Sequence, residues 1–296
     1  MNSFMHRRVR ISIHAAALAA LALSPACGRK EPEEPPVATP SVTLNHDRVP
    51  IGSPVKLTYK FVVAPGAPDI LKGEDYWVFV HVLDPTGERL WTEDHPPVVP
   101  TSAWKPGQTV EYTRTVFVPN YPYIGEAVMR LGLYNQTSGK RLTLSAPEAS
   151  RKEYVVSKFQ LLPQSENIFL IYKDGWHPAE VAPDDASSEW QWTQKTATIS
   201  FRNPKKDLTF YLEWDARTDL FTPPQQVTLT LGGHTIGTFA ADNRDRKMLT
   251  FPIAAAQLGS ADMAELIISV DRAFSPGGGD TRELGIRVFH AFVETR

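Results

Sequence analysis

The chain of 296 residues contains a single cysteine, Cys27. One thiol cannot form an intramolecular disulfide, and it cannot supply the thiolates of a structural zinc site. The fold must therefore be stabilised by buried apolar surface. The roughly 270 residues that follow Cys27 are enough to build one large hydrophobic core or two moderate ones.

The position of Cys27 indicates an export signal. Three arginines lie within residues 7–10, an apolar run extends from Ile11 to Leu23, and a small residue, Ala26, directly precedes the cysteine. The apolar run of about 13 residues is shorter than the roughly 20 needed to span a bilayer. This order resembles the signal of a bacterial lipoprotein, in which the preceding peptide is removed and the cysteine becomes the acylated first residue.

The lipoprotein resemblance implies where the protein resides. Residues 1–26 are then the signal peptide, and Cys27 is the lipidation site, carrying fatty acids such as palmitate. Gly28 follows the cysteine in place of an aspartate, which resembles the sorting pattern of the outer membrane. We expect a bacterial cell-envelope protein, anchored by its N-terminal lipid on the periplasmic face or at the cell surface. The alternatives are an ordinary signal peptide with an incidental cysteine, and a short membrane anchor.

Residues 27–40 are rich in proline and glutamate, which predicts an extended, solvated tether between the lipid and the folded part. Loss of the three signal arginines changes the formal net charge from -2 to -5. Both signs of charge are interspersed, so no basic stripe is present and nucleic acid is not an expected partner.

Residues 41–163 show β periodicity, with turn signals between short apolar runs. Alternation is clear in Val55–Phe61, where apolar and polar residues follow one another. The pattern predicts an all-β domain of about seven strands, an immunoglobulin-like or fibronectin-like sandwich. The strand candidates are Val42–Asn45, Val55–Val63, Trp77–Leu83, Leu90–Thr92, Val110–Val118 and Ala127–Tyr134.

Residues 164–296 predict a second all-β domain, a jelly-roll-like sandwich of eight or nine strands. A tight hairpin is expected at Gly232-Gly233, and one helical turn at Ala254–Leu258 is the only helix expected outside the signal peptide. The domains should touch near Leu161–Asn167. The strand candidates are Ile168–Tyr172, Trp190–Thr193, Ala197–Phe201, Leu208–Trp214, Val227–Leu231, Met248–Pro252, Glu265–Val270 and Leu284–Phe292.

Two stretches resemble known modules. Val78–Gly87, together with Pro100–Gly107, is similar to β-sandwich modules appended to bacterial membrane glycosyltransferases of the protein-mannosyltransferase type. Phe274–Ile286 resembles a signature of galactose-binding-like sandwiches found beside cell-envelope polysaccharide enzymes. The resemblance implies two sandwiches in a polysaccharide setting. It implies no transferase activity, because the multi-span catalytic domain of those enzymes has no counterpart here.

The Gly-rich run before Leu284 has two interpretations. In the structural one, Asp280 accepts backbone N–H groups and Arg282 makes a two-point bond to a carboxylate. In the functional one, both side chains line a sugar-binding loop. We favour the structural interpretation and keep Asp280 and Arg282 as candidate glycan contacts.

Aromatic residues supply the other candidate contacts. Trp176 lies between glycine and His177-Pro178, which favours an exposed loop, and Trp190 shares one strand face with Trp192. Sugar rings stack on exposed indoles, whereas buried indoles are simply core. We expect Trp176 to be the platform, so that its removal would abolish binding and cost little stability.

No catalytic motif is present, and we predict that the protein is not an enzyme, with no cofactor and no metal. Glu213 with Asp215, and Asp184 with Asp185, are the available carboxylate pairs. Both are interpreted as poor glycosidase candidates, because adjacent strand positions point to opposite faces. The run Asp242–Arg246 is interpreted as a solvated turn rather than a calcium loop.

Three functions remain open. The first, which we prefer, is a non-catalytic envelope lipoprotein that binds glycan or supports polysaccharide assembly. The second is a protein-interaction scaffold of the envelope without sugar affinity, and the third is a glycan hydrolase whose site the sequence order conceals.

Overall fold

The computed structural model describes residues 34–120 and 123–296, and for residues 185–187 it describes the backbone alone. The predicted signal peptide, Cys27 and the first half of the predicted tether, residues 27–33, lie outside the described residues. Residues Pro35–Arg296 form one compact unit. Within the described part, no helix is long and apolar enough to cross a membrane.

The first sandwich contains nine strands in two sheets. The smaller sheet has the order β1-β3-β6, and the larger has the order β2-β9-β7-β4-β5, with β8 also paired to β9. The strands are β1 Ala38–Leu44, β2 Arg48–Pro50, β3 Pro54–Val63, β4 Trp77–Leu83, β5 Arg89–Thr92, β6 Thr109–Phe117, β7 Gly125–Tyr134, β8 Glu148–Ser150 and β9 Glu153–Leu162.

Alternation explains how these two sheets pack. In β3, Leu57, Tyr59 and Phe61 are almost fully buried and the residues between them face outward. Their partners in the core include Val80 of β4 and Leu131 of β7. The arrangement confirms the predicted immunoglobulin-like or fibronectin-like sandwich. One detail differs from an immunoglobulin constant domain, because β5 pairs with β4 in the larger sheet instead of extending the smaller one.

The second sandwich contains ten strands in two five-stranded sheets. One sheet has the order β10-β13-β18-β15-β16, and the other has the order β11-β12-β19-β14-β17. The strands are β10 Leu170–Tyr172, β11 Glu180–Ala182, β12 Asp185–Trp192, β13 Thr196–Arg202, β14 Leu208–Asp215, β15 Gln226–Leu231, β16 His234–Ala240, β17 Lys247–Ile253, β18 Met263–Val270 and β19 Arg287–Thr295.

The last eight strands are paired as one long hairpin that has been rolled up. From the tip outward, β15 pairs with β16, β14 with β17, β13 with β18 and β12 with β19, all antiparallel. Lateral pairs β15–β18 and β14–β19 then close the two sheets. This nesting is the jelly-roll topology that the sequence predicts. The tip is the expected glycine pair, since Gly232 and Gly233 both have positive φ angles of 57° and 82°.

Several local predictions are wrong. The first strand begins at Ala38 and not near Ser41, because Ala38 is buried beside Val37 and pairs with Val63 in the smaller sheet. Proline at position 40 is tolerated because β1 is an edge strand. Helical structure also extends beyond the predicted turn, which is present as a 3₁₀ helix at Ala255–Leu258.

The additional helical segments are short. A helix, α1, spans Ala67–Leu71, and 3₁₀ turns span Thr101–Ala103 and Gln164–Glu166. Proline near the start of α1 fixes a helical φ, and Ala67 and Leu71, four residues apart, bury one face. Sequence reasoning also missed β9, although its alternation of apolar and polar residues was available as a signal.

The two sandwiches touch, as expected, around the link that follows β9. Asn167 Nδ2 donates to the carbonyl oxygen of Ile51 at 2.9 Å. The Phe117 ring of the first sandwich stacks on His290 of the second, with centroids 4.4 Å apart. A small cavity of about 130 Å³ lies at this junction, with walls that include Glu166 and Phe292.

Candidate functional site

The Gly-rich loop before β19 is held in place by ion pairs of Arg282 with Asp280 and Glu180. Asp280 accepts the backbone N–H of Arg282 at 3.0 Å, and its carboxylate is also bound by Nε and Nη2 of the same arginine. The remaining nitrogen, Nη1, donates to Glu180 on β11 at 2.5 Å. Hydrogen bonds from Arg282 hold the pKa of Asp280 below its usual value. These contacts agree with the structural interpretation of the motif. Glycan contact by Asp280 and Arg282 stays a prediction.

Trp176 is held against the core of the second sandwich. Its indole is half-buried, packs on the buried apolar cluster and donates from Nε1 to the carbonyl oxygen of Thr198 at 2.9 Å. Tyr172 meets it edge-on, with centroids 4.7 Å apart. The neighbouring His177 is buried and its Nε2 lies 2.7 Å from the carbonyl oxygen of Glu283. The loop therefore offers only part of the indole to solvent.

Trp190 lies on the face of its sheet that points away from the core. Trp192 is directly opposite Arg287, and Arg287 is directly opposite Asp215, so these side chains share one face. Trp190, two positions before Trp192, belongs to the same face. The adjacent residues Trp214 and Val288 point to the core instead. The structure therefore separates Trp176, on the core side, from Trp190, on the outer face.

Two arginines interleave with the aromatic rings of this outer face. The guanidinium carbon of Arg287 is 4.8 Å from the Trp190 ring centroid, 5.7 Å from that of Trp192 and 5.2 Å from that of Phe289. The guanidinium carbon of Arg246 lies 4.0 Å from the centroid of the same Phe289 ring. We call these five side chains the arginine–aromatic surface. Each contact has cation–π geometry, which orders rings and guanidinium groups together.

A β-bulge places Phe289 in this surface. Glu213 of β14 is opposite His290, and the next residue, Trp214, is opposite Val288, so Phe289 has no partner on β14. An extra residue of this kind redirects side chains locally. Sequence reasoning missed Phe289, Arg246 and Arg287. The only signal available was the Trp190-Gln191-Trp192 pattern, which fixes one strand face but does not identify its neighbours.

The two arginines differ in how their charge is balanced. Arg287 makes a two-point ion pair with Asp215, whose carboxylate is buried. Arg246 is exposed and donates to the hydroxyl of Ser188, and no carboxylate among the described side chains pairs with it. Within the described part of the chain, the charge of Arg246 is therefore not balanced by an ion pair.

Glu213 and Asp215 lie on the same face of β14 and not on opposite faces as predicted, because residues two apart on a strand share a face. Both carboxylates are nevertheless occupied, Glu213 by His290 Nδ1 at 2.6 Å and Asp215 by Arg287. Among the described residues, no group of three or more metal-ligating side chains is placed to hold an ion. In the run Asp242–Arg246, Arg244 pairs with Asp219.

No protein-family model and no curated protein matches the chain. A CBM36 carbohydrate-binding module in complex with calcium and xylotriose aligns with 44% of this chain and 100% of its own, at 16% identity and a TM-score of 0.26. The CBM36-1 domain of a multidomain xylanase from the hindgut metagenome of Trinervitermes trinervoides aligns with 43% of this chain and 94% of its own, at 10% identity and a TM-score of 0.25. The exo-β-1,3-galactanase of Phanerochaete chrysosporium aligns with 86% of this chain and 56% of its own, at 10% identity and a TM-score of 0.30. Likenesses at these TM-scores carry no functional argument.

Proposed function

We propose that the second sandwich is a non-catalytic glycan-binding module and that the glycan contacts the arginine–aromatic surface. The observation that carries the proposal is the interleaving of three aromatic rings with two guanidinium groups on one outer sheet face. Trp190 is only half-buried there, so part of its indole is accessible.

The chemistry of this surface suits a sugar. A sugar ring has apolar C–H faces that pack on an indole, and hydroxyl groups that accept hydrogen bonds from guanidinium N–H groups. Arg287 is held by Asp215, so its donors are ordered before any ligand arrives. Aromatic contacts of this kind contribute about 0.5–1.5 kcal/mol each, so we expect weak binding, on the order of tens of micromolar to millimolar.

The envelope setting belongs to the same proposal. Acylation at Cys27 would hold the sandwiches at the bacterial outer membrane, where surface polysaccharides are abundant. The protein would then present its sugar-binding face to glycans of the envelope or to a polysaccharide-assembly complex. The resemblance of Phe274–Ile286 to sandwiches beside polysaccharide enzymes supports this setting.

The experiment is retention on a panel of immobilised envelope polysaccharides. We expect the full-length chain to be retained and Trp190→Ala to lose retention. Phe169→Ala is the matched control, because Phe169 is an exposed aromatic residue of the same sandwich that lies next to β10, outside the surface. If no polysaccharide retains the wild-type chain, the glycan proposal is wrong.

A second candidate function, the interaction scaffold, is favoured by one edge of the same sandwich. Phe169 and Ile171 at edge strand β10 are 61% and 51% exposed. Exposed apolar residues at a sheet edge suit pairing with a strand of another protein. Retention that fails for the wild-type chain on every glycan would place this function first.

A further inference from the structure

The larger sheet of the first sandwich carries basic side chains gathered around one carboxylate. His81 of β4 is directly opposite Arg130 of β7, and Glu153 begins the neighbouring strand β9. His81 Nδ1 and Arg141 Nη1 each lie 3.3 Å from Glu153 Oε1. Arg130 Nη1 is more distant, 3.9 Å from Glu153 Oε2. We call these four side chains the basic cluster.

The basic cluster is short of negative charge. Two guanidinium groups share one carboxylate, which leaves an excess of one positive charge with His81 neutral and two with His81 protonated. Arg130 is the least satisfied member, because its Nε is buried and has no hydrogen-bond partner among the described residues. A partly buried guanidinium group with an unpaired N–H is costly unless an acceptor reaches it.

Packing holds the cluster in place. Phe79 occupies the space that Gly132 leaves on the neighbouring strand, where an added Cβ would lie 2.3 Å from the ring. The guanidinium carbon of Arg141 rests 4.3 Å over the same ring. Arg141 also donates to the carbonyl oxygen of Arg151 at 3.0 Å. The side chain is therefore fixed from two sides and stays beside Arg130 and Glu153.

We propose that the basic cluster is an anion-binding site for a carboxylate or phosphate group of a ligand. Guanidinium groups bind both oxyanions through paired N–H donors. The bound group would supply the missing negative charge and would accept hydrogen bonds from the accessible N–H groups of Arg130 and Arg141. This site is on the first sandwich and is independent of glycan binding at the arginine–aromatic surface.

The test uses the full-length chain in detergent. Its thermal unfolding is followed in sodium phosphate and in sodium acetate, each against sodium chloride at matched ionic strength. A ligand that binds the folded state raises the midpoint with concentration. We expect such a rise beyond chloride, and a preference between the two anions identifies which group the site takes.

Two variants and one control make the result specific. Arg130→Gln and Arg141→Gln should each weaken the apparent affinity at least ten-fold, and Arg141→Gln serves alone if Arg130→Gln does not fold. Lys158→Gln is the control, because Lys158 pairs with Glu126 on the same sheet outside the cluster. The proposal is overturned if neither anion stabilises the wild-type chain beyond chloride, or if the control loses the response as the two arginine variants do.

Discussion

Asp215 and Arg287 face each other across β14 and β19 and form a two-point ion pair in which the carboxylate is 5% exposed. The pair joins the end of a core strand to the arginine–aromatic surface. Because Arg287 touches three aromatic rings, its orientation fixes the surface around it. The ion pair is therefore both a structural contact and the support of the proposed binding face.

Removing the charge of Asp215 should be costly. We expect Asp215→Asn to lower the free energy of unfolding by about 2–3 kcal/mol, because Arg287 is left among aromatic rings without its carboxylate. The measurement is urea denaturation. Asp219→Asn is the control, since its pairs with Arg217 and Arg244 are exposed to solvent and should contribute much less than the buried pair. Equal losses in the two variants would contradict the prediction.

Trp176 should behave as a packing residue. Its indole contacts the core and donates to Thr198, so we expect Trp176→Ala to reduce the free energy of unfolding by about 2–3 kcal/mol. The sequence alone leads to the opposite expectation, a nearly unchanged melting temperature. Phe169→Ala, which removes an exposed ring, should change stability by about 0.5 kcal/mol or less. Calorimetry of both variants separates the two expectations.

Gly175 should not accept a side chain. It has a φ of +83°, and an added Cβ would lie 1.9 Å from the carbonyl oxygen of Thr196. Gly139 has a φ of +69° but open space around it. We expect Gly139→Ala to cost about 1 kcal/mol for the backbone conformation alone, and Gly175→Ala to cost at least about 3 kcal/mol. A similar loss in both, measured by denaturation, would show that the strand beside Gly175 moves away.

His95 should make stability depend on pH. Burial lowers the pKa of the His95 imidazole to about 4, compared with 6.5 for an exposed imidazole. Between these values the unfolded chain binds a proton that the folded chain does not. The contribution of neutral His95 to the free energy of unfolding is therefore fully present above pH 6.5. It is lost as the pH is lowered towards 4, by about 3 kcal/mol at most.

The control for the pH effect is His95→Gln. The difference in unfolding free energy between wild-type and variant protein should shrink as the pH falls from 7 to 4. Asp280 is a second group that titrates in acid. Hydrogen bonds from Arg282 lower its pKa, so its contribution to stability is lost only as the pH falls below the usual pKa of an aspartate. A constant difference between the two proteins across this range would show that His95 does not titrate during unfolding.

Cys27 should decide whether the protein is membrane-bound. We expect Cys27→Ser to move the protein to the soluble fraction or to leave its signal uncleaved, because stable anchoring needs more than one acyl chain and the cysteine carries them. Fractionation followed by immunoblotting is the measurement. A processed Cys27→Ser protein that still sediments with membranes would show that the lipoprotein assignment is wrong.

Much of the fold follows from local sequence. Alternation along Val55–Phe61 and the Trp190-Gln191-Trp192 pattern assign residues to strand faces, because successive side chains in a strand point to opposite sides. Gly232-Gly233 marks the hairpin tip, since two positive φ angles in a row suit glycine best. A single cysteine limits how the chain is stabilised. These features are local, and each predicts the same thing whatever lies around it.

The arginine–aromatic surface and the Gly-rich loop before β19 both depend on contacts between distant parts of the chain. Asp215 and Arg287 are separated by 72 residues, and Glu180 and Arg282 by 102. Alternation defines two faces of a strand, but it does not say which face a second sheet covers. That choice, made by the rolled hairpin, buries part of Trp176 and leaves Trp190 on the outer face, among arginines that the sequence pattern did not connect with it.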